Sequence, residues 1–248
     1  MIKYDQGEKN MLKLSKDRKV TNLVSPNGKV AKIANTFGLP AGRKYSCPGA
    51  TKVCEKICYA GKLEKIYTGV SAVLLHNWNL LKDANEQEMY NLLDSMVSGF
   101  VKECDKKKAE KKFRIHWDGD FFNQLYVNAW RRVILAHPEV EFWVYTRVPA
   151  AAESLRDIKN LSLYFSCDSE NKDIGLELSR RFPTIRLAML ANKFDDGLAI
   201  LKQNGTKGTK CPENNKKIPL ISKGGSACIS CGLCPNGRGN VVFSISKK

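Results

Sequence analysis

Residues 113–146 read FRIHWDGDFFNQLYVNAWRRVILAHPEVEFWVYT. Phe113–Trp117 and Glu141–Thr146 are short runs rich in aromatic and β-branched residues, which predicts strands. Between them the stretch from Asn123 to about Ala136 predicts a helix, with Val127, Trp130 and Val133 at helical spacing as core residues. The alternation continues through a helix at Pro149–Ile158, a strand at Leu161–Ser166, a helix at Asn171–Arg181, a strand at Thr184–Leu190 and a helix at Lys193–Gln203. Four strand–helix units in series predict a parallel sheet with helices outside it. Lys29–Phe37 at the front and Val241–Ile245 at the end bring the total to about six strands. Both a partial or full (β/α) barrel and an open doubly wound sheet fit that order.

Upstream, Val73, Leu74, Leu75, Trp78 and Leu81 predict a helix over Thr68–Lys82. Met89, Leu92, Leu93, Met96, Val97, Phe100, Val101 and Cys104 repeat at i, i+3, i+4, i+7, the clearest helical stripe in the chain. Asn85 followed by Glu88 resembles a capping box. The run Lys106–Lys108 with Lys111 and Lys112 closes that helix, where cations suit the negative end of its dipole. Cys104 reads as a small core hydrophobe.

The 248 residues are 43% hydrophobic, enough for a core, and no stretch approaches the ~20 apolar residues of a membrane span. Met1-Ile2-Lys3-Tyr4-Asp5 lacks the apolar segment of a secretory signal, so a cytoplasmic location is expected. The net charge of +16 is unevenly placed. Residues 1–65 hold 14 basic and five acidic side chains, residues 205–248 hold eight and one, and the middle is balanced. The excess either offsets anionic clusters or forms a face for a polyanion such as nucleic acid.

Those two basic segments carry seven of the nine cysteines. Cys47, Cys54 and Cys58 form a C-x6-C-x3-C triplet in a Pro- and Gly-marked irregular loop. Cys211, Cys228, Cys231 and Cys234 form a C-x16-C-x2-C-x2-C quartet followed by Pro235, within a Gly-, Lys- and Cys-rich stretch read as an extended loop. In a reducing compartment such groups read as metal ligands rather than disulfides. The quartet has the spacing of a ferredoxin-type cluster loop, with zinc as the alternative metal. A triplet leaves a coordination position open, unless His116 or His76 supplies a fourth ligand.

Polar residues follow three successive strands. His116, Asp118 and Asp120 alternate, sharing a face if the strand runs through them, and Gly119 permits close approach to the backbone. The next strand ends Tyr145-Thr146-Arg147 and the one after ends Ser166-Cys167-Asp168. Such a rim suits an active site at the C-terminal ends of strands, although Asp and Ser there also serve as helix caps. No G-x-S-x-G elbow, P-loop or H-E-x-x-H helix is present, and the chain has only three histidines, which disfavours a hydrolase.

These features resemble the radical S-adenosylmethionine (SAM) superfamily. The resemblance implies a partial (β/α)6 TIM-like barrel of radical-SAM type, with a three-cysteine loop after the first strand. It further implies that Cys47, Cys54 and Cys58 hold an open [4Fe–4S] cluster. Asp118-Gly119-Asp120 stands where the family's Gly-Gly-Glu binds the SAM amino group, and Thr146, Ser166 and Asp168 stand at positions that contact SAM. The quartet resembles an auxiliary cluster site. The triplet departs from the usual C-x3-C-x2-C, and Asp120 replaces the glutamate. More closely, CPGAT…C…CYA, RIHWDGDFF, the helix with Trp130, FWVYTR and the terminal C…C-x2-C-x2-C resemble a phage-encoded family named after mycobacteriophage gene product 88, over roughly residues 30–245.

The expected organisation is an α/β core at 1–204, with an N-terminal extension and cluster loop, and a cysteine-rich metal-binding segment plus final strand at 205–248. The expected function is an iron–sulfur protein acting, as a radical-SAM-like enzyme, on a nucleic acid or nucleotide. It would use one or two [4Fe–4S] clusters, SAM and an electron donor, in the host cytoplasm and off the membrane. The alternative is a non-catalytic iron–sulfur or zinc module that docks on nucleic acid or a host protein.

Overall fold

The computed structural model describes residues 10–246; the N-terminal pentapeptide and the last two lysines of the sequence lie outside them. Asn22–Val24 (β1) and Val30–Lys32 (β2) pair antiparallel, and Thr36–Gly38 (β3) opens the main sheet. The run Lys29–Phe37 is therefore two strands, not one. The break falls at buried Asn35, whose amide donates to the carbonyls of Val20 and Lys112, each at 3.0 Å, and so replaces a ladder bond.

Four helices follow: Lys52–Ile57 (α1), Tyr59–Ile66 (α2), Thr68–Leu81 (α3) and Glu86–Lys107 (α4). The last two match the apolar stripes, and α4 carries the expected capping box, with Glu88 N–H on Asn85 Oδ1 at 3.0 Å and Asn85 N–H on Glu88 Oε2 at 2.8 Å. Cys104 is fully buried, as its place in the stripe predicts. The remaining elements alternate: Lys112–Asp118 (β4), Gln124–Ala136 (α5), Glu141–Thr146 (β5), Pro149–Leu155 (α6), Leu161–Cys167 (β6), Lys172–Arg181 (α7), Arg186–Ala191 (β7) and Phe194–Gln203 (α8). The last segment is not a plain loop. It contributes Gly208–Lys210 (β8), a small hairpin of Ile221–Ser222 (β9) and Gly225–Ser226 (β10), Ala227–Cys231 (α9) and Asn240–Ser244 (β11).

The main sheet has seven parallel strands in the order β3-β4-β5-β6-β7-β11-β8. It is one strand more than the sequence suggested, the extra being β8. The sheet does not close on itself among the described residues: β3 and β8 are its edges. Successive strands step in one direction from β3 to β7. Right-handed crossovers then place the connecting helices on a single face, and α4, α5, α6 and α7 pack side by side in that order. The step from β8 back to β11 runs the other way. The same handedness rule therefore sends residues 211–239, with all four cysteines of the quartet and α9, across the opposite face.

On the helix face, Phe113 meets Phe100, Trp130 and Phe142 ring to ring, with Phe100–Phe113 centroids at 5.2 Å in an edge-on arrangement. Val127, Trp130 and Val133 are buried core residues, as expected from their spacing. No helix among the described residues is long and apolar enough to cross a membrane.

Candidate functional site

The sheet face turned away from the helices presents Arg114, Tyr145, Ser166, Ala188 and Phe243, one from each of β4, β5, β6, β7 and β11. These residues line a cavity of about 450 Å³. Cys47, Cys54 and Cys58 border it from one side, and Cys211, Cys228, Cys231 and Cys234 from the other. Two cysteine groups separated by more than 150 residues of sequence thus share one chamber.

The triplet is carried by structure that the sequence does not advertise. Thr51 caps α1 by accepting the Cys54 N–H at 3.0 Å, and the Cys58 sulfur caps α2 by accepting the Gly61 N–H at 3.3 Å. The loop is fixed to the strand ends. Thr51 Oγ1 donates to Asp168 Oδ2 at 2.6 Å, and the Lys52 N–H donates to Glu170 Oε2 at 3.0 Å. Arg147 Nη1 donates to the same Asp168 oxygen at 2.7 Å, in an ion pair almost wholly removed from solvent. Gly49 lies flat on the Arg147 carbonyl, which an added Cβ would approach to 2.5 Å. Gly49→Ala is expected to lower stability by about 1–3 kcal/mol, read from the urea midpoint. An unchanged midpoint would mean that the loop does not rest on β5 as described.

The quartet is held mostly by backbone. Cys211 N–H donates to Val242 O at 2.9 Å, and Cys228 N–H to Lys19 O at 3.0 Å. Gly232 ends α9 in the left-handed conformation at φ +66°, which turns the chain so that Cys234 follows directly onto the cavity wall. Below it, Tyr164 Oη donates to Leu233 O at 3.3 Å and Ser162 Oγ to Pro235 O at 2.9 Å. Two cations stand beside the group. Arg114, its side chain 12% exposed, donates to Asp17 at 2.9 Å, while Lys19 bonds Glu213 at 2.8 Å.

No disulfide joins any of the nine cysteines. Burial raises the thiols of the triplet and of Cys211, Cys228 and Cys234; Cys228 and Cys234 are pushed up to about 12, with Arg114 opposing the rise at both. Among the described residues no three His, Cys, Asp or Glu side chains converge on a single-ion site. All seven thiols of the two groups belong to cavity-lining residues.

The strand-end residues divide into two kinds. Asp118, Gly119, Asp120, Thr146 and Ser166 all line the cavity; Asp168 lies behind it, tying the triplet loop down. Asp120 is engaged on both oxygens. It accepts from Phe121 N–H at 2.8 Å, Thr146 Oγ1 at 2.7 Å and Arg147 N–H at 2.7 Å, and burial lifts its carboxyl to about 6 against those bonds. Asp118 accepts the Gly119 N–H on Oδ1, while its buried Oδ2 has no partner. Burial and the neighbouring Glu64 push its carboxyl well above the usual range. Gly119, at φ +84°, is closely approached by the Ser46 hydroxyl and Leu39 of the protein itself.

His116, Asp118 and Asp120 do not share a face as a regular strand would place them. His116 adopts φ +57°, where the β3–β4 register also slips, and its ring turns into the aromatic core among Phe37, Phe121, Tyr126 and Trp130. Its Nε2 pairs with Tyr126 Oη at 2.8 Å, and burial together with the Arg114 charge lowers it to about 3. It is a neutral core histidine. His76 bonds the Met11 carbonyl at 2.8 Å and is not part of the cavity wall, and His137 bonds Asp94 at 2.9 Å. Arg114 and Lys19 are cavity residues that sequence reasoning missed, whereas Tyr145 stood in the expected rim. The signal for Arg114 was a cation between Phe113 and Ile115 in a strand that packs into the core.

Comparison with known proteins follows the same lines. The Gene product 88 family matches residues 8–237. The chain is similar to the Gene 88 protein of Mycobacterium phage L5, at 52% identity over 243 residues covering 96% of this chain and 99% of that protein. It is also similar to the Gene 88 protein of Mycobacterium phage D29, at 51% identity over 244 residues with the same coverage. No solved structure matches.

Proposed function

From the premise that the chain belongs to the Gene product 88 family of phage proteins, we propose that it is an iron–sulfur protein whose shared chamber serves radical-SAM-like chemistry. One observation supports this above all: seven cysteines from both ends of the chain border a single cavity of about 450 Å³. A mononuclear ion with metal–sulfur bonds of ~2.3 Å needs its thiolates nearly in contact. An iron–sulfur cubane separates its thiolates by several intervening atoms. Cavity-lining thiols of which no three converge on a single-ion site among the described residues suit the second. Arg114 and the nearby Lys19 would offset the negative charge of thiolate-held iron. A run of sequentially ordered parallel strands with helices on one face is also the arrangement of a partial (β/α) barrel, here open between β3 and β8.

In this reading Cys47, Cys54 and Cys58 would hold a [4Fe–4S] cluster with one open position, and Cys211, Cys228, Cys231 and Cys234 a second. The cofactor pair of cluster and SAM supplies one-electron chemistry when a donor reduces it. The chain's own residues bind and shield. Asp118 lines the chamber, and a cationic amino group seated against it would displace the proton that burial and Glu64 favour on its carboxyl. Thr146 and Ser166 would line the SAM site, and Asp120 and Asp168 would keep the walls in place. The engagement of Asp120 by three donors favours a second reading, in which the clusters, or zinc in their place, serve a non-catalytic module.

Anaerobic purification with iron, sulfide and zinc analysis tests both. About eight irons per chain are expected, and serine at Cys47, Cys54 and Cys58 should halve that number. Equilibrium dialysis with SAM, followed by dithionite and assay for 5′-deoxyadenosine, separates enzyme from module. Iron without SAM binding would select the module, and zinc in both sites would end the radical reading.

A further inference from the structure

The charge excess has a definite address on the molecule. In the segment that carries the triplet, Lys44, Lys52, Lys56, Lys62 and Lys65 are exposed and form no ion pair among the described residues. The segment's two carboxylates are otherwise occupied. Glu55 pairs with Arg43 at 3.6 Å, and Glu64 turns inward to accept the Ala41 N–H at 2.8 Å. Across the cavity, the wall formed by Pro212, Glu213, Asn214 and Ile218 continues into exposed Lys216 and Lys217. The mouth of the chamber therefore has a cationic bank on each side.

Between the banks stands Tyr59. It lines the cavity, its hydroxyl is anchored inside by donation to Trp117 O at 3.1 Å, and 49% of the residue is still exposed. Lys19 Nζ stands over the ring at 5.8 Å from its centroid, and a half-exposed ring fixed at its far end loses little entropy when a planar group stacks on it. Tyr67, at the end of α2, is 56% exposed. Lysines interleaved with accessible tyrosines are how proteins track a single strand: the cations follow the phosphates, and the rings take bases without reading sequence. A duplex cannot deliver a base into a recessed chamber without unstacking it first.

We propose that a single-stranded nucleic acid lies across the cavity mouth, its phosphates on the lysines of α1, α2 and Lys216–Lys217, with one base stacked on the Tyr59 ring at the chamber entrance. The proposal rests on the reading of this cavity as the reaction chamber and specifies the class of molecule it receives. An acidic protein partner would meet the same charge but would gain nothing from the half-exposed ring.

The test is fluorescence anisotropy with a labelled 15-nucleotide oligo-dT, an oligo-U of the same length and a duplex control, using the full chain at 50 and 200 mM salt. Four phosphate contacts predict a fall in affinity of about 50-fold across that range. The single strands should bind at least tenfold more tightly than the duplex. Lys56→Glu/Lys62→Glu/Lys65→Glu should weaken binding at 50 mM salt by at least tenfold. Tyr59→Leu should weaken it by about tenfold while Tyr59→Phe retains most of it; circular dichroism on each variant verifies folding. Absence of binding at 50 mM salt, equal affinity for duplex, or indifference to the lysine reversals would each overturn the proposal. Iron and sulfide content, measured on the same preparations, reports separately on the cluster reading, so the two can fail independently.

Discussion

Asp168→Ala is expected to destabilise the protein by about 3–5 kcal/mol, the usual result of deleting one member of a buried ion pair. Asp168 is 1% exposed and one of its oxygens takes both Arg147 Nη1 and Thr51 Oγ1. Removing the carboxylate leaves a guanidinium facing an apolar hole and a hydroxyl without an acceptor. It also cuts the cysteine triplet's loop from β6, because Glu170, the loop's other anchor, is itself positioned by its N–H on Asp168 Oδ1 at 2.9 Å. Urea unfolding would show the loss directly. Asp168→Asn keeps an acceptor for Thr51 and should recover part of it. If the alanine variant unfolds within 1 kcal/mol of the parent, the loop is not secured through this residue. Under the cluster reading proposed above, the alanine variant would lose iron from the triplet while the quartet, held by other contacts, keeps its own.

Acid should unfold the chain earlier than its carboxylates alone predict, and His116 is the reason. Its pKa is lowered from 6.5 to about 3 in the fold, first by burial and then by Arg114. The unfolded chain therefore takes up a proton below pH 6.5 that the folded chain refuses. The sign follows: stability from this group is whole above pH 6.5 and is lost as pH falls toward 3, reaching on the order of 5 kcal/mol when fully expressed. Between pH 7 and 4.5 the loss amounts to about 2–3 kcal/mol. Asp118 and Asp120, whose carboxyls are raised, act in the opposite direction over part of that range, so the contribution must be isolated by substitution. His116→Asn removes the titration, and asparagine tolerates the positive φ of this position better than most residues. Urea titrations of metal-free parent and variant at both pH values should show a smaller pH dependence in the variant. Parallel pH profiles would refute the assignment.

Much of the architecture was readable because it rests on strong periodicities. The stripe from Met89 to Cys104 and the alternation of short apolar runs with helical spacing need no tertiary information, and their boundaries fall within a few residues of those predicted. The parts that escaped depend on contacts between distant residues. Helices α1 and α2 are six and eight residues long with one buried residue between them, so they carry no apolar signal; Thr51 and the Cys58 sulfur start them. Asn35 splits a strand because its amide finds carbonyls at Val20 and Lys112. His116 leaves the expected face because one backbone angle turns positive at a residue that is not glycine. Above all, spacing within each cysteine group says nothing about the distance between groups. Their meeting depends on β8 stepping past β11 at the sheet edge.

The bond from Cys228 to Lys19 joins positions made at opposite ends of synthesis. A ribosome adding about 5–20 residues per second leaves roughly 10–40 s between their emergence. Throughout that interval the first three thiols are out in the cell with half of their enclosure missing, and β11 is not yet available to complete the sheet. Under the cluster reading proposed above, inorganic loading would therefore follow release of the finished polypeptide, and oxidants would compete with it for the waiting sulfurs.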